Sequence, residues 1–302
     1  MNISLEYTNS REDTDSLAAL EARIARDLDA IAHPNQAWLP ERLGPDGKRA
    51  LDVLVVGAGQ SGIAAAFGLT RSAVTNVLVV DAAPEGREGP WTTYARMPNL
   101  RSPKELTGPD LDIPSLTYRS WHEAKYGEAH WQALVRIPKG DWNDYLLFVR
   151  RVTGLKVENN TEVTDLAPAD GGLIAATLVS SAGTRVVYAR KVLLATGQDG
   201  VGTWWMPPML ARLPTHLRAH AADSVDFAAL KGKRVAVIGA GASAFDNAAT
   251  ALEAGAVEVH LFCRRAEIQT IQPYRWLTFR GFLAHLSEMS DEWRWRFMSY
   301  IL

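Results

Sequence analysis

The sequence has little cysteine, no long apolar run and little net charge, and each of these features argues against a class of protein. Cys263 is the single cysteine among 302 residues, so the chain forms neither an intrachain disulfide framework nor a Cys-x-x-Cys redox pair. No stretch of about 18 uncharged apolar residues occurs, and the polar, acidic amino terminus does not read as a secretory signal. The net charge is −2, which gives no reason to expect nucleic acid or an anionic membrane as a partner. We therefore expect a soluble cytoplasmic protein that acts on small molecules.

What the sequence does contain is two glycine-rich turns of one kind, about 180 residues apart. Residues 57–62 read Gly-Ala-Gly-Gln-Ser-Gly, and residues 239–244 read Gly-Ala-Gly-Ala-Ser-Ala. An apolar run precedes each turn and an alanine-rich helical pattern follows it, which predicts a strand, a tight turn and a helix. In such a turn the first glycine makes the bend, the second admits a pyrophosphate, and the third position packs the helix on the strand. Because helix N-termini attract phosphate, the chain is predicted to hold two dinucleotides.

The residues expected to bind them are those of the two turns. They are Gly57, Gly59, Gln60, Ser61 and Gly62 in the first turn, and Gly239, Gly241, Ala242 and Ser243 in the second.

The strand that follows each turn ends differently. After the first turn it ends at Asp81, 19 residues past Gly62, where a carboxylate hydrogen-bonds a ribose without a 2′-phosphate. After the second turn the strand is followed by Arg264 and Arg265, and guanidinium groups pair well with phosphate. This pattern favours FAD at the first site and NADP at the second. The alternatives are a solvated aspartate at a strand end and an ordinary basic surface turn.

The order of elements predicts an α/β fold with two Rossmann-like dinucleotide-binding domains, the second incomplete. The predicted parts are a helical arm and linker at 1–50, an FAD-binding domain at 51–200, a connector at 201–229 and an NADP-binding domain at 230–302. Helices are predicted at 16–32, 60–71, 141–152, 243–254, 275–285 and 291–302. Strands are predicted at 51–56, 76–80, 162–167, 173–179, 184–189, 191–197, 234–238 and 257–262.

Residues 84–140 show little regular pattern, and a loop region of this length is usually functional. Several of the ten tryptophans fall in loop-like segments. Such side chains either line a flat ligand pocket or hold long loops in place, and the sequence leaves both readings open.

Several motifs together resemble those of the class B flavin-dependent monooxygenases. This group includes flavin-containing monooxygenases, Baeyer–Villiger monooxygenases and amine N-hydroxylases. The motifs are both glycine turns, the second extending to Asp246; Gly-Pro-Trp at 89–91, like the Gly-Gly-x-Trp segment with one glycine replaced; Ser-Pro-Lys-Glu-Leu at 102–106; and Ala-Thr-Gly at 195–197. The resemblance implies that Trp91 lies beside the flavin and that Thr196 belongs to the link between the domains.

The chain departs from the family pattern at three places. Arg101 stands where flavin-containing monooxygenases carry asparagine, just before the Ser-x-Lys-Glu stretch. Of the fingerprint that precedes the NADPH turn, His220 alone fits, and Pro214, His216 and Ser224 occupy the other key positions. The family's further strands, and the return of its chain to the FAD domain, do not occur before Leu302. We therefore expect that a C-terminal segment of on the order of 100 residues is missing.

The resemblance also implies a chemistry. NADPH passes a hydride to FAD, and the reduced flavin adds O₂ to give a C4a-(hydro)peroxyflavin that oxygenates a small organic substrate. Arg101 is the candidate for the cation that stabilises the peroxy anion, the alternatives being a surface arginine or a partner of an FAD phosphate. His220 is the candidate for positioning the nicotinamide, or else a hydrogen-bonded residue of the linker. Two other functions stay open: an NADPH-dependent electron-transfer reductase, and a truncated, non-catalytic nucleotide-binding module.

Overall fold

The apolar run before the first glycine turn forms the central strand β1 (Leu51–Val56) of a six-stranded sheet. A computed structural model describes residues 11–197, 200, 202–264, 266–268 and 285–301, and the chain divides into two compact units. The first unit comprises residues 1–93, 107–134 and 140–203, and the second comprises 94–106, 135–139 and 204–302. The predicted loop region 84–140, which lies inside the predicted FAD-binding domain, is therefore shared between the units.

The sheet belongs to the first unit and combines parallel and antiparallel strands. Its other strands are β2 (Val77–Val80), β3 (Val157–Glu158), β4 (Thr161–Ala169), β5 (Leu173–Ser180) and β6 (Gly183–Leu194). Their spatial order is β3-β2-β1-β6-β5-β4, with β3, β2, β1 and β6 parallel and β6, β5 and β4 antiparallel. The middle of β1 is buried because the strand lies at the centre of the sheet, which explains its unbroken apolar sequence.

One strand prediction was wrong. The segments 184–189 and 191–197 are not separate strands, because residues 183–194 form the single strand β6. Ala189 pairs with Ile174 of β5 on one side and with Leu51 of β1 on the other. A single long strand thus belongs to both the antiparallel and the parallel part of the sheet. The other strands predicted for this unit are confirmed, with ends that differ by at most two residues.

The helices of the first unit confirm the predictions at 16–32, 60–71 and 141–152, and they correct the prediction that 84–140 is irregular. They are α1 (Arg11–Ala30), α2 (Gln60–Arg71), α3 (Tyr118–Tyr126), α4 (Glu128–Ala133) and α5, which begins in the second unit (Lys139–Val152). The predicted irregularity of 84–140 was wrong for α3 and α4. The Thr117 hydroxyl caps α3 by accepting the Ser120 N–H, and Gly127, at φ +86°, ends it. These two short helices are held by tertiary packing, which sequence periodicity does not report well.

Aromatic side chains hold these helices to α5. Tyr118 of α3 contacts Trp121, Trp142 and Tyr145, with ring centroids 5.4–5.6 Å apart, and Trp131 of α4 is 4% exposed. These tryptophans therefore pack the core of the first unit. Trp205 of the second unit, by contrast, is 71% exposed.

The second unit contains the second predicted strand, turn and helix. Its elements are α6 (Pro208–Ala211), β7 (Arg234–Ile238), α7 (Ala242–Glu253), β8 (Glu258–Phe262) and α8 (Asp291–Ile301). β7 and β8 pair in parallel, so the predicted βαβ unit is confirmed. Most of the predicted helix at 275–285 lies outside the described residues. No helix in the described ranges combines the length and apolar character that a membrane span requires.

We predict that Tyr145→Phe lowers the free energy of unfolding by about 1–2 kcal/mol. The buried Tyr145 hydroxyl donates a hydrogen bond of 2.9 Å to the Leu116 carbonyl, and phenylalanine leaves that carbonyl without its donor. Urea denaturation followed by tryptophan fluorescence measures the change. An unchanged midpoint at an unchanged slope contradicts a stabilising role for this hydrogen bond.

Candidate dinucleotide-binding sites

The first glycine turn has the backbone that a pyrophosphate cradle requires. Gly57 has a φ of +102°, and a Cβ added there lies 2.4 Å from the Ala195 carbonyl oxygen. A Cβ added to Gly62 lies 1.8 Å from the Gly57 carbonyl oxygen, so α2 approaches the strand more closely than any side chain allows. A Cβ added to Gly59 has its nearest heavy atom at 3.9 Å, which leaves room beside the backbone. The geometry of the three glycines therefore fits the three roles predicted for them.

Asp81 holds this turn in place. Its carboxylate accepts the Ala58 N–H through Oδ2 at 2.7 Å and the Ala83 N–H through Oδ1 at 2.8 Å. The side chain is half-buried at the end of β2. Because each carboxylate oxygen has more than one lone pair, Asp81 keeps acceptor capacity for a ribose hydroxyl. The residues present thus fit an adenosine ribose and a pyrophosphate.

A small pocket adjoins the turn and contains a polar cluster that the sequence did not predict. Glu88 is 6% exposed, and its Oε1 accepts from Arg150 Nη1 at 3.0 Å and from Asn159 Nδ2 at 2.6 Å. The residues that line the pocket are Ala58, Gly59, Ile63, Glu88, Asn143, Leu146, Leu147 and Arg150. The one sequence signal was Glu88 itself, because it replaces a glycine of the Gly-Gly-x-Trp motif. Pairing and hydrogen bonding make the buried charge of Glu88 tolerable.

The other residues predicted for the first site lie in α2, in the loop after β2 and directly after β6. Gln60 accepts a hydrogen bond of 3.2 Å from Trp142 Nε1 of α5. Ser61 is exposed in the first turn of α2, and Trp91 is half-buried. The Ala195 N–H donates to the Val56 carbonyl at 2.8 Å, which places the neighbouring, exposed Thr196 at the end of the central strands.

The second glycine turn has the same backbone arrangement as the first, but its helix packs less closely on its strand. The Gly239 N–H donates to the Phe262 carbonyl at 2.8 Å, as the Gly57 N–H donates to the Val80 carbonyl. Gly239 has a φ of +140°, and Gly241 is the N-cap of α7, followed by the exposed Ala242 and Ser243. The third position is Ala244, whose Cβ lies 3.4 Å from a Cβ added to Gly239. Helix α7 therefore does not approach its strand as closely as α2 does.

The two matching hydrogen bonds show which residues correspond at the ends of β2 and β8. Val80 corresponds to Phe262, so Cys263 occupies the position of Asp81 and the exposed Arg264 comes next. Arg265 lies outside the described residues. The second turn thus has a thiol and a guanidinium where the first has a carboxylate, and this arrangement suits a ribose that carries a phosphate.

Both candidates for catalysis lie in the second unit. Arg101 Nη2 lies 2.6 Å from Asp246 Oδ2 of α7. The His220 ring packs against Trp204 at 4.8 Å, and its Nδ1 accepts the Ala222 N–H at 3.2 Å. Their roles towards flavin and nicotinamide stay predictions.

The sheet, the two turns and their strand ends define a protein of the two-dinucleotide-binding class, with the fold of FAD- and NAD(P)-binding flavoproteins. Residues 54–280 match the family described as "Pyridine nucleotide-disulphide oxidoreductase". The chain belongs to this family, which confirms the flavoprotein fold expected from the sequence.

The chain is also similar to a curated relative. The FAD-dependent urate hydroxylase of Xanthomonas campestris pv. campestris is 44% identical over 286 residues. The match covers 94% of this chain and 60% of the relative, so the chain spans about three fifths of the relative's length.

Solved structures share the fold at low sequence identity. An ornithine N-hydroxylase from Kutzneria sp. 744, with reduced FAD, NADP⁺ and L-ornithine, superimposes with a TM-score of 0.59 at 16% identity, over 82% of this chain and 62% of that one. A mutant flavin monooxygenase from Stenotrophomonas maltophilia gives 0.56 at 22% identity, over 79% and 68%. The bacillithiol disulfide reductase of Bacillus cereus gives 0.54 at 19% identity, over 79% and 65%. The monooxygenase-like resemblance is thus confirmed at the level of the fold.

We predict opposite effects of the same substitution at two helical glycines. Gly62→Ala is expected to lower the free energy of unfolding by about 2 kcal/mol, because its Cβ meets a backbone oxygen at 1.8 Å. Gly140→Ala, near the start of α5 with no atom within 4 Å of an added Cβ, is expected to raise it by about 0.5–1 kcal/mol. Urea denaturation of both variants measures the difference. Equal effects contradict the close contact between α2 and its strand.

Proposed function

We propose that the chain provides the dinucleotide-binding part of an FAD-dependent monooxygenase that uses NADPH and O₂ to hydroxylate urate. The observation that carries the proposal is the 44% identity to a urate hydroxylase across 94% of this chain. In the proposed reaction one atom of O₂ enters the substrate and the other leaves as water. NADPH supplies the two electrons that reduce this second oxygen atom to water.

The first turn fits the FAD of this proposal. Gly59 leaves space beside the backbone for a pyrophosphate, and Asp81 keeps acceptor capacity for the adenosine ribose. When it is bound, the flavin supplies hydride acceptance and O₂ activation. The protein's part is to hold the phosphates at the N-terminus of α2 and to keep the turn rigid through Asp81.

The second turn fits the NADPH of this proposal. Its exposed helix N-terminus, Ala242 and Ser243, offers backbone N–H groups to the pyrophosphate. Arg264 follows the strand at the position where a 2′-phosphate is read.

The family description also names disulfide chemistry, but the residues do not fit it. A protein disulfide that cycles between oxidised and reduced forms requires two cysteines, and Cys263 is the single cysteine of these 302 residues. An NADPH-dependent electron-transfer reductase remains the alternative function. The products formed when NADPH is consumed distinguish it from a monooxygenase.

The first test combines a spectrum with turnover. The purified protein is expected to be yellow with bound FAD, and to consume NADPH faster when urate is added, with hydroxylated product formed in proportion. A colourless protein that takes up no added FAD contradicts the proposal. NADPH consumption that yields hydrogen peroxide alone, with or without urate, identifies a reductase or oxidase instead.

Gly59→Ala provides a matched test of the cradle. The added Cβ meets no atom closer than 3.9 Å, so the variant is expected to fold with its stability changed by about 1 kcal/mol or less. FAD binding is expected to weaken by about tenfold or more, because the Cβ occupies the space that the pyrophosphate needs. Equilibrium dialysis against FAD measures the affinity, and wild-type affinity in this variant contradicts the assigned position of the pyrophosphate.

Arg264→Ala tests the cofactor preference. We expect it to weaken NADPH binding by about 1.5–3 kcal/mol, through loss of a charge-assisted phosphate contact, and NADH binding much less. Dissociation constants for both cofactors, measured on the same preparation, give the comparison. Equal losses for NADPH and NADH show that Arg264 does not bind the 2′-phosphate.

A further inference from the structure

The small pocket beside the first glycine turn has a carboxylate in its wall. Glu88 is 6% exposed, and it lines the pocket together with Ala58 and Gly59 of the turn. The cavity volume of about 10 Å³ is on the order of what one water-sized group requires, such as a single hydroxyl. The pocket therefore suits one polar group of a larger ligand bound over the turn.

The Glu88 carboxylate makes both of its hydrogen bonds through the same oxygen. Oε1 accepts from Arg150 Nη1 at 3.0 Å and from Asn159 Nδ2 at 2.6 Å. In the part of the chain that the structure describes, no hydrogen bond is made to Oε2. Because Glu88 lines the pocket, Oε2 is the carboxylate oxygen that can accept a hydrogen bond from a group placed there.

Neighbouring elements hold this carboxylate in position. The side chain of Arg150, in α5, is 12% exposed, and its Nη2 donates to Asn159 Oδ1 at 3.1 Å. Asn159 Nδ2 also donates to the Ala83 carbonyl at 3.0 Å. The loop that carries Glu88 is thus tied both to α5 and to the turn between β3 and β4. A carboxylate fixed in this way loses little conformational entropy when a ligand binds.

The kind of group that Glu88 accepts follows from its charge. A carboxylate accepts hydrogen bonds and repels phosphate, whereas the ribose hydroxyls that adjoin the pyrophosphate of a dinucleotide are donors. The Ala83 N–H donates to Asp81 Oδ1 at 2.8 Å, and the carbonyl of the same residue accepts from Asn159. This network joins Glu88 to Asp81 at the end of β2, where the adenosine ribose is expected.

We propose that Glu88 is a second ribose-binding carboxylate, which accepts a hydroxyl of the adenosine ribose of FAD through Oε2. Asp81, whose two oxygens each accept a backbone N–H, braces the turn and accepts the neighbouring hydroxyl. Arg150 is a positioning residue that offsets the charge of Glu88. This inference rests on the proposed function for the identity of the dinucleotide, FAD. The ribityl chain of FAD is a second source of hydroxyl groups, and the experiment separates the two sources.

The experiment measures competition for the FAD site of the full chain. ADP, 2′-deoxy-ADP, 3′-deoxy-ADP and FMN are each titrated against the FAD-loaded protein, and chromatography of the ultrafiltrate measures the displaced FAD. Because all competitors displace the same FAD, the ratio of their constants within one variant does not depend on the FAD affinity of that variant. The wild-type protein is expected to prefer ADP to each deoxy analogue by about tenfold, since each analogue lacks one charge-assisted hydrogen bond.

Glu88→Gln keeps the size of the side chain and the oxygen that Arg150 and Asn159 bind, but it places an uncharged amide where Oε2 lies. We expect it to reduce the preference for ADP over one deoxy analogue to about threefold or less, and to leave the preference over the other unchanged. Glu162→Gln, the same change at an exposed position of β4, is the control and is expected to keep both preferences.

A purely structural role for Glu88 gives a different result, in which Glu88→Gln weakens all competitors equally and both preferences keep their wild-type values. That result overturns the proposal. A wild-type protein that binds ADP and both deoxy analogues equally also overturns it, whether or not the variant folds. Weakened FMN binding with unchanged preferences for ADP assigns Glu88 to the ribityl chain instead, and it likewise overturns the proposal. Failure of the proposed function is recognised separately: the ribose preferences are then as expected, but urate does not stimulate NADPH consumption.

Discussion

The contact between Gly62 and the Gly57 carbonyl is the constraint on which the first site depends. With no side chain at Gly62, helix α2 starts close against the end of β1, and its first N–H groups, which have no partner within the helix, come directly after the N-cap Gly59. Asp81 then fixes the turn from the next strand by accepting the Ala58 N–H. The cradle is thus made of backbone, and its position follows from the parallel pairing of β1 and β2.

The second turn shows what changes when this constraint is relaxed. Ala244 replaces the third glycine, and Cys263 replaces the aspartate that braces the first turn. The strand end therefore presents a guanidinium at Arg264 instead of a carboxylate. In the proposed function, the charge of one or two residues at a strand end gives two turns of the same backbone design their different ligand preferences.

Most of the predictions made from the sequence rest on short, local patterns of residues. The turns, the flanking strands and helices, and the contrast between Asp81 and Arg264 are encoded within about 30 residues each, as expected for a βαβ unit. Helices α3 and α4, the dual pairing of β6 and the Glu88–Arg150 pair depend on partners far away in sequence. The pairing of Arg101 with Asp246 spans 145 residues and had no local signal. Long-range packing decides such features, and a single sequence does not display it.

The cysteine content bears on how electrons leave this part of the protein. A disulfide oxidoreductase passes electrons from flavin to a disulfide formed by two cysteines, and residues 1–302 provide one cysteine, Cys263, at the position that carries Asp81 in the first turn. Residues 1–302 therefore do not themselves supply the second cysteine that this route for the electrons requires. A monooxygenase directs the electrons to O₂ and a bound substrate.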